Sequence, residues 1–496
     1  MVPDRICMVI PPSGFLLDER VFMTLGILKI AAVLEISGSI VEVLDLSGIT
    51  NFREVIQDHA RSSKSEIFAL TATTPQMPAA ADVASALRSV KPSARIILGG
   101  PHVTLVHAAY KREKRLGLNG RASKALQELR KAFDVLVAGD GEEAIFLACR
   151  GDAPKIIDAD NPKDPSLFLS NQKLDDLPFP ARHLIDVESY HYEIEGFSAL
   201  SLIAQLGCPF GCGFCGGRES PMLRRIRMRS KQNIVKEMKT MWEAYSRPGF
   251  MLYDDELNVN PDMVGLMNLI AETQQDLGVE WRLRGFIKAQ LFNDEQAEAM
   301  HQAGFRWILT GFESGSPRIL KNINKASTRE ENTRCVEIAR RHGLKVKALM
   351  SVGHPGESFQ TIHETKEWLL ETRPDDFDVT IITCYPGSPY YDEAVPLGDG
   401  IWAYTYRRTG DCLYQIEVDY NETADYYKGD PEGGYRAYVF TDELSPEDLV
   451  RERDKMEREV RKALGIPFNV SRAAVRYEHS MGQGGHIPPN ILRVSR

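Results

Sequence analysis

The sequence predicts an α/β protein made of two successive parallel sheets, and three observations carry that prediction. Residues 1–150 alternate short apolar runs with helical stretches. Residues 196–395 repeat the alternation over six further units. Gly, Pro, Ser and Thr gather at the carboxyl ends of the apolar runs, which is where doubly wound sheets bind their ligands.

In the first region, strands are expected at 6–10, ending at Pro11-Pro12, and at 41–46, 67–71, 96–98 and 135–138. Helical periodicity covers 24–37, stopping at Gly38, and about 79–89. This is a Rossmann-like, doubly wound domain over 1–150. Residues 151–195, with DNPKDPS and DDLPFPARHL, are proline-rich and polar and read as an ordered linker. In 196–395, strands are expected at 200–206, 250–253, 280–287, 306–312, 345–352 and 378–383. Helices are expected at 231–246, 261–276, 294–303, 329–342 and 359–371. Six such units are too few to close an eight-fold barrel. Residues 396–496 change character and form a smaller capping α+β segment. Tyrosines recur there at 404, 406, 414, 420, 426, 427, 435 and 438. Ser445 reads as a helix cap with Pro446 in the first turn, and Gly465 stops that helix. The last 30 residues are polar and glycine-containing and read as a weakly ordered tail.

Composition excludes several classes. The chain has 496 residues, 43% hydrophobic, with a net charge of −9. That charge argues against a nucleic-acid partner, which calls for a basic face. The N-terminus MVPDRICMVIPP has an apolar run too short for a signal peptide, and no stretch reaches the length of a membrane span. The eight cysteines show no disulfide-scaffold spacing, and a cytoplasmic, reducing setting is expected.

Three of those cysteines, Cys208, Cys212 and Cys215, lie within Gly207-Cys-Pro-Phe-Gly-Cys-Gly-Phe-Cys-Gly-Gly217, directly after an apolar strand. A glycine-rich loop can fold three thiolates around one point, and thiolates suit iron–sulfur clusters or zinc. A closed zinc site needs a fourth Cys or His. None is near: no histidine occurs between His191 and His301, and Cys149 and Cys335 are distant. Three donors leave one metal corner open.

This CxxxCxxC loop after a strand resembles the signature of the radical S-adenosylmethionine (SAM) superfamily. The resemblance implies a partial (β/α)6 barrel. It also implies a [4Fe–4S] cluster on the three cysteines, with SAM on the fourth iron and cleaved to a 5′-deoxyadenosyl radical. An external one-electron reductant such as flavodoxin or ferredoxin follows from the same resemblance. Further segments match the family by position. Phe214 is the aromatic before the third cysteine. Asp254 or Asp255, in Tyr-Asp-Asp-Glu256, would lie near SAM or substrate, with Leu257 where the family has an aromatic. Glu313 and Ser314 belong to the Gly-Phe-Glu-Ser-Gly strand end, and Gly353 and Pro355 to a Gly-His-Pro-Gly-Glu turn. For Glu313 the plain alternative is an ion pair with Arg282 or Arg284. Arg282, Arg284, Lys288 and Lys347 remain open alternatives for the SAM carboxylate.

The doubly wound domain, with GGPHVT at 99–104 and GDGEEA at 139–144, resembles that of the cobalamin-binding radical SAM enzymes. The resemblance implies a cobalamin site at Pro12, Ser13, Thr71, Thr73, Gln76, Gly99, Gly100, Gly139 and Gly141. Gln76 and Met77 are expected to face the cobalt. No Asp-x-His-x-x-Gly is present, so no cobalt-ligating histidine is expected from that motif, and His102 reads as structural. The resemblance thus implies a cobalamin-dependent C-methyltransferase acting on an unactivated carbon of a small natural-product intermediate. The alternative is a non-methylating enzyme of the same architecture, with or without cobalamin, working by dehydration, epimerisation, cyclisation or ring contraction. Transfer-RNA methylthiolation would call for a further N-terminal cysteine set and a basic RNA-binding module, and neither is present. The sequence nominates no residue for the chemistry on substrate.

Overall fold

The computed structural model describes residues 2–13, 19–426, 435–467 and 491–495. The first domain runs β1 (Arg5–Ile10), α1 (Leu25–Ile36), β2 (Ile40–Asp45), α2 (Phe52–Ser62), β3 (Ile67–Thr71), α3 (Met77–Val90) and β4 (Arg95–Gly99). It continues with α4 (Pro101–Arg115), α5 (Arg121–Ala132), β5 (Val135–Gly139), α6 (Gly141–Ala148) and β6 (Ile156–Ala159). Strands β1 to β6 are all parallel, in the order β2-β1-β3-β4-β5-β6. Both faces are covered, which is why these strands read as nearly continuous apolar runs. Helices α2 to α5 cover one face with a core that includes Ile56, Met77, Val106 and Leu129. Helices α1 and α6 cover the other, and that core runs on without a break into the second domain.

Three expectations are corrected here. Ile156–Ala159, placed in the linker by sequence, is the sixth strand, because its short apolar pair lies parallel on β5. Met77 does not face a ligand; it is fully buried in the core of the opposite face. Part of the expected tail is a strand: β20 (Leu492–Val494) lies antiparallel on β2 and extends the first sheet. Residues 468–490, the bulk of that tail, lie outside the described residues, as does Tyr427.

A connection with α7 (Asn171–Asp176) leads to β7 (Glu193–Ile194) and β8 (Phe197–Leu202). The chain then forms β9 (Gln205–Leu206), α8 (Pro221–Arg224), β10 (Arg227–Met228), α9 (Lys231–Tyr245), β11 (Gly249–Leu252), α10 (Met263–Leu277) and β12 (Arg282–Phe286). It continues with α11 (Asp294–Gln302), β13 (Phe305–Glu313), α12 (Pro317–Asn322), α13 (Arg329–Arg341), β14 (Lys345–Val352), α14 (Phe359–Thr372) and β15 (Asp376–Ile381). Strands β8, β11, β12, β13, β14 and β15 form six parallel staves, with β7 antiparallel at the edge of β8. This is the expected six-unit curled sheet. After α15 (Pro389–Asp392), a small antiparallel sheet of β16 (Val395–Gly398), β17 (Ile401–Thr405), β18 (Cys412–Ile416) and β19 (Val439–Phe440) leads to α16 (Pro446–Leu464). Ser445 caps α16 by accepting from the Asp448 amide, and Gly465 ends it in the left-handed conformation. No helix among the described residues is long and apolar enough to cross a membrane.

Buried charges join the two domains. Asp140, after β5, pairs with Arg227 at 2.5 Å, both nearly inaccessible. Asp160, after β6, accepts from the Ser220 hydroxyl at 2.9 Å and the Met222 amide at 2.7 Å. Removing one partner of such a pair leaves a buried charge uncompensated, so these contacts fix the domains in one arrangement.

At the other end of the first sheet, Cys7, Glu42 and His59 hold ligand-type atoms within 4.8 Å of one another. The Glu42 carboxylate is already occupied by Arg5 at 2.8 Å, His59 at 3.1 Å, Ser63 at 2.7 Å and Ser65 at 3.1 Å. The cluster is a hydrogen-bonded knot tying α2 to the sheet. Burial alone would raise the Glu42 carboxyl, but donation from His59, Ser63 and Arg5 outweighs it and lowers the value to about 2. A carboxyl held below its unfolded value stabilises the fold above about pH 4.5, and that contribution fades as pH falls toward 2. Denaturant unfolding of Glu42→Gln should therefore show lower stability at neutral pH and a flatter decline between pH 4.5 and 2 than the native chain.

Candidate functional site

The cysteine loop is an excursion between β9 and β10, which pair antiparallel and pinch its base. Gly207 opens it at φ 86°, and a Cβ there would stand 2.1 Å from the Arg225 carbonyl oxygen, so only glycine fits. The Cys208 amide donates to Leu223 O at 3.0 Å, and the Gly213 amide to Ile323 O at 2.8 Å. Tyr390 N donates back to Gly213 O at 3.0 Å. A Cβ on Gly213 would lie 2.3 Å from the Tyr390 ring, so this glycine permits close packing. Phe214 packs on Ile319, Leu320 and Ile323, with its ring centroid 5.4 Å from that of His354.

Bare, the three thiols resist ionisation. Desolvation, opposed by the Phe210 amide, pushes Cys208 to about 11. Desolvation, then the charges of Cys212 and Cys208, pushes Cys215 to about 12. Burial also raises Cys212, against the pull of Lys325 and Lys288. Only bound cations would hold all three as thiolates. The three are not among the sets with all ligand atoms within 4.8 Å, whereas a single tetrahedral zinc with 2.3 Å bonds brings its sulfurs to about 3.8 Å. The donor set fits a multi-iron cluster better than one ion.

The carboxyl ends of the barrel strands bring charged groups to this loop. Asp254 is buried and accepts from the amides of Ala204 at 2.8 Å and Gln205 at 2.6 Å. Burial raises it to about 7 against the pull of those amides. Asp254 therefore braces the chain between β8 and β9 through Oδ1, while its buried Oδ2 has no hydrogen-bond partner among the described residues. Asp255 is exposed, accepts from the Gly207 amide, and bears electrostatically on Cys208 and Cys215. Glu256, the third acid of the run, is pushed by burial to about 7, with Lys325 and Lys288 drawing it down.

Glu313 ends β13 at φ 66°, beside a shift in register between Gly311 and Glu313. Non-glycine residues in that region mark stored strain, which concentrates at functional sites. Its carboxylate accepts from Lys325 Nζ at 2.7 Å and from the Ser351 hydroxyl at 2.7 Å. Burial would raise Glu313, but Lys325 above all holds it low. The partner is thus Lys325 and neither Arg282 nor Arg284. His354, fully buried, reaches Ser351 through Nε2 at 2.8 Å and the Tyr390 hydroxyl through Nδ1 at 3.3 Å, and burial lowers it to about 4.

Ser314 is committed elsewhere, to Thr365 at 2.8 Å and the Ser316 amide at 3.0 Å, so its role is to shape the turn; this also corrects the expectation. Gly353 and Pro355 are buried, with Val439 and Leu449 of the C-terminal segment against Gly353. Of the four cations left open by sequence, Arg282 pairs with Glu280, Lys347 pairs with Asp376 and Asp378, and Arg284 lies over the Trp307 ring. Lys288 is buried, donates to Lys325 O at 3.2 Å and lies 4.1 Å from the centroid of Phe210 in the cysteine loop. Among the described residues it has no carboxylate partner.

A cavity of about 370 Å³ opens at the carboxyl ends of the first sheet. Its lining includes seven of the nine expected residues: Thr71, Thr73, Gln76, Gly99, Gly100, Gly139 and Gly141. Pro12 and Ser13 are outside the lining, and the Ser13 amide is held by Glu19 at 2.6 Å. Gln76 donates to Pro11 O and accepts from the Thr73 amide, each at 3.0 Å. His102 sits in the first turn of α4, bonded to the Thr74 hydroxyl at 3.0 Å, and does not line the cavity. The walls are mostly apolar, from Met8, Leu25, Ile30, Ile97 and Ile145, and the far side is Leu206, Met222 and Leu223 of the cysteine excursion.

Residues 202–369 match the model of the radical SAM superfamily, and residues 19–130 match that of the B12-binding domain. The chain is a radical SAM enzyme with a B12-binding domain. Its cofactors are a [4Fe–4S] cluster, SAM and cobalamin. This radical SAM enzyme is 24% identical over 397 residues to an uncharacterized methyltransferase of Pyrococcus horikoshii, covering 79% of the chain and 83% of the relative. It is 23% identical over 396 residues to the anaerobic magnesium-protoporphyrin IX monomethyl ester cyclase of Rubrivivax gelatinosus, covering 75% and 66%. Its fold matches that of the radical SAM methyltransferase TsrM of Kitasatospora setae, solved with cobalamin and a [4Fe–4S] cluster. The TM-score is 0.63 at 16% identity, covering 94% of the chain and all of that one.

Sequence reasoning missed Lys325, Ser351 and Glu256 in the radical SAM site. Glu256 was within reach, as the last acid of a run already singled out. Lys325 carried no signal: it follows α12 between Asn324 and Ala326, both at φ 55°, and only the tertiary fold brings it to Glu313. Lys325→Met should leave Glu313 buried and unpaired. It should cost roughly 3–5 kcal/mol in anaerobic denaturant unfolding, and Glu313→Gln in the same chain should restore part of that loss.

Proposed function

We propose that this radical SAM enzyme is a cobalamin-dependent methyltransferase acting on an unactivated carbon of a small natural-product intermediate. The observation that carries the proposal is the shared wall: the cavity at the first sheet is closed by the same excursion that presents Cys208, Cys212 and Cys215. Two cofactors held by one rigid segment would lie close to each other. The likeness to methyltransferases supports the methylating reading.

When bound, the cluster with SAM supplies a hydrogen-abstracting radical, and the corrinoid supplies a transferable methyl group. The protein's own part is to bind, orient and exclude water. Cys208, Cys212 and Cys215 would hold three irons and leave the fourth for SAM. Lys288, buried and without a carboxylate partner, would take the SAM carboxylate. Asp255 and Glu256 would draw its cationic groups, while Glu313, fixed by Lys325 and Ser351, would set the polar floor beneath. Thr71, Thr73, Gln76 and the glycines after β4 and β5 would line the corrinoid site. Gln76, tied to Pro11 and Thr73, would be held in place at that site. Tyr420 and Tyr426 of the C-terminal segment, whose rings meet each other and that of Tyr385 after β15 at 5.8–5.9 Å, would close the substrate side.

The relative that catalyses ring closure keeps a non-methylating reading in view. One experiment separates the two without knowing the substrate. Reduced, corrinoid-loaded enzyme incubated with SAM should release S-adenosylhomocysteine in proportion to its corrinoid, together with 5′-deoxyadenosine. Release of 5′-deoxyadenosine alone would overturn the methylating reading and favour the other.

A further inference from the structure

The inner face of the curled sheet holds a cation and an aromatic wall that neither the cysteine loop nor the first-sheet cavity uses. Along β12 the positions of one face, Leu283 and Gly285, are buried, while Arg282, Arg284 and Phe286 of the other keep partial exposure. The same alternation runs along β14 from Lys345 to Met350 and along β15, so the concave side of the sheet is open. Met251 and Trp307 lie in register with Arg284 on the neighbouring staves, and the Arg284 guanidinium is 5.7 Å from the Trp307 centroid.

The other cations of this face are taken. Arg282 pairs with Glu280, Lys345 with Glu195, and Lys347 with Asp376 and Asp378. Arg284 is in no ion pair among the described residues, and its Nε is buried without a hydrogen-bond partner. A guanidinium with unmet donors inside a fold is costly, and an anionic ligand would meet them. Two residues nearer the carboxyl end, about 7 Å along the strand, the wall turns aromatic. Phe286 ends β12 with its ring centroid 5.9 Å from that of Tyr253. The Tyr253 amide donates to Leu202 O at 2.8 Å, so Tyr253 continues β11 and falls on the face of Met251. Phe22, ahead of α1, meets Tyr253 at 4.8 Å and Tyr192 at 4.6 Å. The Tyr192 hydroxyl in turn reaches Met251 Sδ at 3.6 Å. Tyr253 is 45% exposed, so the wall fronts open space. It stands two residues before Asp255, which accepts from the amide that opens the cysteine loop.

We propose that the substrate is a planar aromatic carboxylate, with its ring on Phe22, Tyr253 and Phe286 and its carboxylate on Arg284. Rings pack on rings face to edge, and a guanidinium reads a carboxylate, so the two features set the class of ligand and its orientation. Lys288, two residues beyond Phe286, is left for SAM. The inference deepens the methyltransferase reading and rests on that site, and its test keeps binding apart from reaction. Anaerobic calorimetry on the enzyme loaded with cluster, corrinoid and SAM uses three probes: naphthoate, its neutral amide, and the non-aromatic decalin carboxylate. The native enzyme should bind naphthoate about tenfold or more tightly than either of the others. Arg284→Met should erase the preference for naphthoate over the amide. Tyr253→Leu should shrink the preference for naphthoate over decalin carboxylate. Retained cluster and corrinoid absorbance shows that a variant is folded. Equal binding of the three probes by the native enzyme would overturn the inference, as would an unchanged preference in folded Arg284→Met; the native comparison decides alone where a variant fails to fold. S-adenosylhomocysteine release is scored separately. The binding preference without that release overturns the methylating reading only, and release without the preference overturns the aromatic carboxylate only.

Discussion

The arrangement depends on one constraint: the segment from Gly207 to Arg227 belongs to both domains at once. Its base is pinched by the β9–β10 ladder, and its far limb is locked to the first domain by Asp140 on Arg227 and Asp160 on Ser220 and Met222. Both carboxylates follow first-sheet strands directly, at the end where that sheet's cavity opens. The contacts that seat the cysteine loop therefore also set its distance from the cavity. Hinge motion between the domains would strip partners from several buried charges, which makes one fixed geometry the stable one.

Electrostatics at the barrel mouth extend the same logic. Asp255, Glu256 and Glu313 gather around Cys208, Cys212 and Cys215, whose ionisation would add further negative charge, and Lys325 and Lys288 are the cations that bear on Cys212 and Glu256. Lys325 is committed to Glu313; Lys288 is not committed to a carboxylate. A site in this state is short of positive charge, which irons and the sulfonium and ammonium of SAM supply. The strained backbone at Glu313 is held by Lys325 and Ser351, so its carboxylate is set before any ligand arrives.

Much of this was legible in the sequence, and the misses have physical reasons. The barrel strands were readable because apolar residues either run together, as in Gly249–Leu252, or alternate, as in Arg282–Phe286 and Asp376–Ile381, between helical stretches. The cysteine loop was readable because thiol spacing is set by local chain geometry. Asp254 and Asp255 were not separable: adjacent strand-end residues point to opposite sides, and the sequence does not show which side holds amides and which the cluster. Ser314 looked like a ligand because its motif was familiar, yet Thr365 on a distant helix claims its hydroxyl. β6 and β20 were missed because short edge strands owe their state to a neighbour already in place. Lys325 meets Glu313 across only twelve residues but through a turn that no local pattern announces, and the shared cavity wall joins segments of two domains.

The account stands on the nearness of two cofactors across that wall, and paramagnetic resonance tests it most directly. With the cluster reduced and the corrinoid in its cob(II) state, the account predicts spin–spin coupling: a broadened or split cob(II) signal with faster relaxation than when the cluster is oxidised. A cob(II) signal identical in the two cluster states would contradict it.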